Sequence, residues 1–402
     1  MLLEFWENFR HNLFKPLLLF FYLGFLIPIL KVKFEFPSVI YQGLTMYLLL
    51  AIGWHGGEEL ATIKPSSIAS VVGFMLVGFV LNLAIGFAAF LLLSWMTSLR
   101  RIDQATIAGY YGSDSAGTFA TCVGVLATIG IAFDAYMPVM LAVMEIPGCL
   151  VALYLAARLR HKGMNAAGFM PNEAGYHHTP SATAGPGSAT RPAPGHTLDM
   201  EQQLDAEPGL EVSLEEPTSP ESGATTQRIV SPELLREVLL NPGLCLLFGG
   251  IIIGFVSGLQ GEKVVHDDDA FFISAFQGAL CLFLLEMGMT ASRKLKDLKF
   301  AGRGFIVFGL LAPNIFATLG IVTAHVYADL THTAFKPGTY ILFAVLCGAA
   351  SYIAVPAVQR LAIPEASPSL PLAASLALTF SYNVTIGIPL YTEIARLAQN
   401  WF

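Results

Sequence analysis

Gly112-Ser113-Asp114-Ser115-Ala116-Gly117 and Cys347-Gly348-Ala349-Ala350-Ser351-Tyr352 are the stretches whose reading decides the fold. The first interrupts an apolar run over 104–131, the second an apolar run over 338–360, with Pro356 four residues beyond it. Glycine, small hydroxyl residues and proline all weaken a helix interior. A helix broken inside lipid strands backbone N–H and C=O groups, so a break survives only where protein or a water-filled cavity covers it. Two breaks at matching places in two halves of a chain are the signature of a carrier built from repeats, with its site near the bilayer midplane.

Working outward from the breaks, apolar stretches of about 20 residues lie near 13–30, 39–57, 66–95, 104–131 and 136–158. After a polar gap, five more lie near 237–260, 269–291, 303–327, 338–360 and 370–396. Five spans per half is odd, so the two halves sit upside down relative to one another. The expectation is an all-α membrane protein of ten transmembrane helices, arranged as two inverted five-helix repeats with helices 4 and 9 broken. The first repeat covers 1–159 and the second 231–402, with an insert at 160–230 between them. A weaker echo is Ile52-Gly53-Trp54-His55-Gly56-Gly57 ending the second span, against Met287-Gly288-Met289-Thr290 ending the seventh.

Composition agrees. The chain has 402 residues, 54% apolar and 13% charged, and a mean hydropathy of +0.62. An ordinary soluble domain is about 25% charged, and a soluble surface of this size needs more charge than the chain has. Lys31-Val32-Lys33, rather than a small-residue cleavage site, follows Leu13–Leu30, which reads as a first span and not a cleaved signal. Cys122, Cys149, Cys245, Cys281 and Cys347 stand singly, without the spacing of a disulfide framework or a zinc site.

The insert reads differently. It is rich in Pro, Gly, Ser, Thr and Ala, and from Asn172 to Gln227 it carries nine acids and one base, Arg191. Such a segment buries too little apolar surface to offset its ordering entropy, so disorder is expected. The ten-span scheme puts 16 of the 22 basic residues on the face of the 1–2, 3–4, 5–6, 7–8 and 9–10 connections. By the positive-inside rule that face, insert included, is cytoplasmic, and both termini are extracytoplasmic.

No Lys or Arg lies deep in any span, while Asp114, Glu145 and Glu286 do lie within spans. Each costs roughly 2.5–3.5 kcal/mol or more at mid-depth unless neutralised or hydrated. Asp114 and Glu145 fall about ten residues into their spans, near the midplane; Glu286, seven residues before Arg293, reads equally well as an interfacial acid. Without a basic partner such acids are either protonated or bind a cation. Ser113, Ser115 and Thr118 flank Asp114, and Ser351, Thr379 and Asn383 sit at comparable depth in the second half. These are hard oxygen donors of the kind an alkali cation takes.

A broken helix also presents a positive dipole end of about half a charge and free N–H groups. Pro356 suits an early position of the second half-helix of span nine, where a missing N–H costs nothing. Two such ends could hold a monovalent anion without Lys or Arg, beside a cation on acid and hydroxyl oxygens. His55 and His325 have no metal-ligand spacing, and the chain has no P-loop, nucleophile elbow or HExxH. No enzymatic chemistry, cofactor or nucleic-acid partner is expected.

With these motifs in place, the chain resembles the sodium-dependent bicarbonate transporters of the cyanobacterial type. The resemblance rests on Gly109 to Thr118 in span four, Glu145-Ile146-Pro147 in span five and Met287-Gly288-Met289 in span seven. It continues through Gly348 to Pro356 in span nine and Gly387 to Leu390 in span ten. It covers both halves but not the insert. It implies a core domain of spans 3–5 and 8–10 with crossing broken helices, a gate domain of spans 1, 2, 6 and 7, and sodium-coupled bicarbonate uptake across a bacterial plasma membrane. It also implies a homotrimer and, for some members, a PII-like cytoplasmic inhibitor. Carried across, the substrate site would comprise Gly112, Ser113, Ser115, Gly348, Ala349, Ala350 and Ser351. The sodium site would comprise Asp114, Thr118, Glu145, Ser351 and Asn383. Where those transporters carry a run of serines ending in Asp, this chain has Gly348-Ala349-Ala350-Ser351-Tyr352.

The resulting expectation is a sodium-coupled symporter of bicarbonate or a similar small anion, working by alternating access. Two alternatives stand beside it. One is a cation/proton antiporter or organic-acid carrier with Asp114 as the exchanging carboxylate. The other is a membrane receptor or scaffold acting through the acidic loop.

Overall fold

A computed structural model describes residues 14–63, 68–176, 242–261, 270–300, 302–352 and 354–399. Among them there is no strand, and helices occupy the described part of every apolar stretch. In the first half these are α1 (Pro16–Ile29), α2 (Ser38–Leu60), α3 (Ile68–Met96), α4 (Arg101–Tyr111), α5 (Ala116–Ile129) and α6 (Met137–His161). In the second they are α7 (Pro242–Gln260), α8 (Phe276–Lys294), α9 (Gly302–Thr331), α10 (Pro337–Gly348), α11 (Ala354–Ala362) and α12 (Ser369–Ala398). By length and composition α3, α6, α9 and α12 can each cross a membrane.

Both interruptions appear where the glycines stand. α4 stops at Gly112, and the chain is extended at Ser115 (φ −137°, ψ 111°) before α5 begins. Ser115 is the N-cap of α5, its hydroxyl accepting from the Thr118 N–H at 3.2 Å, the role for which serine is preferred. Gly130 ends α5 in the left-handed region (φ 70°), where a side chain would be strained. In the second half α10 starts on Pro337 and ends at Gly348, and the chain runs extended at Ala349 (φ −88°, ψ 175°). Pro356 is the third residue of α11.

Lipid gives no hydrophobic drive to helix association, so close backbone approach has to supply the packing. α1 packs along α8 and α2 along α7. A Cβ on Gly288 would meet the α1 backbone, and one on Gly254 the Trp54 backbone of α2. α3 to α6 and α9 to α12 pack mainly among themselves, α4 against α3 and α6, and α10 against α9 and α12. Within α12 the chain loosens into π-helical turns at Ala373–Phe380 and Asn383–Gly387, a local irregularity frequent at functional sites.

The beginning of the expected disordered insert is ordered, which corrects its boundary. In the segment 162–176, Asn165 Oδ1 accepts from the N–H groups of Ala167 (3.1 Å) and Phe169 (2.9 Å). Glu173 accepts from Arg101 N, at the start of α4, at 2.7 Å and from Met170 N at 2.8 Å. Arg100 lies 5.1 Å from the Phe169 ring centre and donates twice to buried Asp103. Composition over a long window missed this, because a few side-chain caps suffice to order a short turn at a helix terminus. Residues 177–230 of the insert lie outside the described residues.

Candidate substrate and cation site

The crossing begins with glycine. Gly112 lies where α3, α4 and α6 converge: a Cβ on it would stand 2.9 Å from Gly86 Cα and 3.3 Å from Gly148 Cα. That closeness lets the Ser113 hydroxyl donate to the Glu145 carbonyl at 2.8 Å and Asn82 Nδ2 donate to the Met144 carbonyl at 2.9 Å. Pro147, inside α6, removes the N–H that would have bonded the carbonyl four residues earlier. The first break is thus clamped to α6 within a turn of Pro147.

The second break meets the first directly. The Ser351 N–H donates to the Tyr110 carbonyl, at the end of α4, at 2.8 Å. Asn383 Nδ2 donates to the Gly348 carbonyl at 2.9 Å, while its Oδ1 accepts from Tyr391 at 2.8 Å. The Tyr111 and Thr379 hydroxyls share a bond of 2.6 Å, and Tyr110 donates to Gln359 Oε1 at 2.8 Å. α4 and α11 are in contact, as are α5 and α10, so each half-helix touches the opposite half of the other pair.

All the expected site residues are therefore brought together, but not equally free. Gly112, Ser113, Asp114, Ser115, Thr118, Glu145, Gly348, Ala349, Ala350, Ser351 and Asn383 are all buried. Ser113 is spent on a backbone carbonyl; Ser115 accepts from both the N–H and the hydroxyl of Thr118, the latter at 2.9 Å. Asn383 ties a π-helical turn of α12 to the end of α10, so its amide already has partners on both sides. By contrast, Asp114 is 0% exposed and neither carboxylate oxygen completes a hydrogen bond among the described residues. Ser351 Oγ, Asn82 Oδ1 and the Tyr352 hydroxyl are in the same condition. A buried polar atom without a partner costs about 1–3 kcal/mol, more when charged, which argues for a ligand answering them. Asp114 lies within electrostatic reach of Glu145 and of Cys347 at the end of α10.

Asn82 is a buried polar neighbour of the first break that the reading of the breaks does not find. Its signal is faint: a single amide in the otherwise apolar stretch 66–95. Glu286 is only 2% exposed, and Thr290 donates to one of its oxygens at 3.0 Å. His325 stacks on Tyr340 at 4.1 Å and His55 faces Glu59 at 3.5 Å. No group of three or more His, Cys, Asp or Glu is gathered for a metal among the described residues. The ends of α2 and α9 and the starts of α6 and α10 enclose a rim cavity of about 710 Å³, lined in part by Glu59, Asp134, His332 and Lys336. None of the break residues lines it.

A family model described as the Na+-dependent bicarbonate transporter superfamily matches residues 16–396. No curated protein matches the chain.

Proposed function

Because this chain belongs to the Na+-dependent bicarbonate transporter superfamily, we propose that it is a sodium-coupled symporter of bicarbonate or a similarly small anion. The carrying observation is Asp114, a fully buried carboxylate with neither oxygen bonded, set at a helix break beside Glu145. No Lys or Arg lies at mid-depth in any span to neutralise it. A monovalent cation answers that charge, with Ser351 Oγ, Asn82 Oδ1 and the Glu145 carboxylate as further oxygens. The anion faces the first turns of α5 and α11, whose dipole ends attract negative charge without a basic side chain. Sodium bound first offsets the Asp114 charge, which otherwise repels the anion. This electrostatic dependence is the coupling.

The same reading takes the chain as two inverted five-helix repeats. Exchange of the repeats turns the α1–α8 pairing into α7–α2, and α3–α4 into α9–α10, and both members of each exchange occur. α3 to α6 with α9 to α12 then form a core that carries the site past a gate of α1, α2, α7 and α8, giving alternating access. The division of 16 basic residues against 6 orients it, so a reporter fused at Phe402 is expected outside and one inserted near Ser188 inside. Both reporters on one side would overturn the ten-span scheme.

The direct test is uptake of radiolabelled bicarbonate into proteoliposomes at equal pH on both sides. Uptake is expected to rise with an inward sodium gradient and to collapse when choline replaces sodium. Bicarbonate uptake that follows an imposed proton gradient with sodium absent would replace sodium coupling with proton coupling.

A further inference from the structure

The Tyr352 ring comes from the second break, one residue after the Ser351 N–H that bonds to α4, and ends on the first turn of α5. Its hydroxyl lies so close to Gly117 that a Cβ there would overlap it. Tyr352 is only 9% exposed. The hydroxyl approaches the Ser115 side chain and the Gly117 N–H, yet its alignment completes a hydrogen bond with neither. In that turn the Thr118 N–H is taken by Ser115 Oγ and the Phe119 N–H by the Ser115 carbonyl. The Ala116 and Gly117 N–H groups are among the four that a helix start leaves without an intrahelical acceptor. An unspent phenolic donor therefore stands beside two backbone donors at the positive end of a 14-residue helix.

Aromatic groups enclose this spot. Phe380 of α12 meets the Tyr352 ring edge-on at 5.8 Å. Phe283 of α8 also approaches the Cβ side of Gly117 and stacks on Tyr41 of α2 at 5.9 Å. Tyr41 in turn donates to Met287 Sδ at 3.8 Å. Converging donors with apolar walls suit a compact monovalent oxyanion and leave little room for an alkyl substituent.

We propose that Tyr352 is the specificity-determining residue of this site: its phenol donates to an oxygen of a small planar oxyanion held on the first turn of α5, and its ring sets the upper size of that anion. This rests on the reading of the breaks as the transport site, but not on sodium being the coupling ion. Removing the hydroxyl alone loses one donor to a charged acceptor, a change expected to weaken affinity about tenfold. Removing the ring opens the volume as well, and larger carboxylates then compete.

The test compares wild type, Tyr352→Phe and Tyr352→Ala in proteoliposomes and in detergent. Uptake KM and maximal rate are read for bicarbonate; bicarbonate, formate, acetate and propionate are scored for raising the melting temperature. Tyr352→Phe is expected to raise KM about tenfold with maximal rate little changed and to melt, without anion, like wild type. Tyr352→Ala is expected to be protected by acetate and propionate, which leave wild type unaffected. A Tyr352→Phe protein with the wild-type KM, or a Tyr352→Ala protein with the wild-type order of anions, overturns the proposal. Wild type that no anion stabilises overturns it too. Bicarbonate uptake indifferent to sodium would sink the coupling scheme alone, because the KM and anion-order comparisons would still be read.

Discussion

Asp114→Asn is expected to lower sodium-dependent uptake by about a hundredfold or more while the protein still inserts and folds. The substitution keeps the shape of the side chain and removes its charge. Leaving one partner of a buried ion pair uncompensated costs about 3–5 kcal/mol, and each 1.4 kcal/mol is a factor of ten. The loss falls on the cation first, so any surviving uptake should demand more sodium before it demands more bicarbonate. A protonated structural acid would behave differently: Asn would stand in for it, and neither sodium affinity nor rate would move. Uptake titrated against sodium at fixed bicarbonate, alongside the melting temperature of the purified protein, separates the two. An Asp114→Asn protein with normal flux and normal sodium dependence removes Asp114 from the site.

Gly148→Ala should be as damaging, for a steric reason. Gly148 is where α6 touches the first break: a Cβ there would come 2.6 Å from Ser113 Cβ and 2.7 Å from Ser113 N, and would overlap the Gly109 carbonyl. Two of those three neighbours are backbone, so no rotamer change can make room. α4 and α6 would have to separate, breaking the Ser113–Glu145 hydrogen bond of 2.8 Å that positions the residue before Asp114. Overpacking of this kind costs about 1–3 kcal/mol and sometimes more. A lowered melting temperature, with uptake lost and helix content retained, is the expected outcome. Gly278→Ala is the control, since a Cβ there meets nothing within 4 Å. If the two variants melt and transport alike, the close approach at Gly148 is not what holds the crossing.

The legible part of the protein was what hydropathy and chain chemistry decide locally. The apolar stretches, the two interruptions and the early proline at 356 all follow from residue type, because helix formation in lipid has to satisfy its own backbone within about 20 residues. Asp114 and Glu145 stood out because a charge in an apolar run is costly wherever the run ends up.

What tertiary structure decided is which polar atoms remain free. Ser113, Ser115, Thr118 and Asn383 read as ligands from their type and depth, yet each is engaged by a neighbour. Asn82 and Tyr352, which type and depth did not select, keep unpaired atoms at the breaks. A hydroxyl's partner is set by what another helix brings within 3 Å, and that depends on backbone approach at Gly86, Gly112 and Gly148, three positions on three helices. The 162–176 segment makes the same point at the surface: its order comes from Arg100, Arg101 and Glu173 meeting across about seventy residues of chain. Composition averages over a window, whereas a hydrogen bond needs two particular atoms at one distance, and only the folded chain sets that distance.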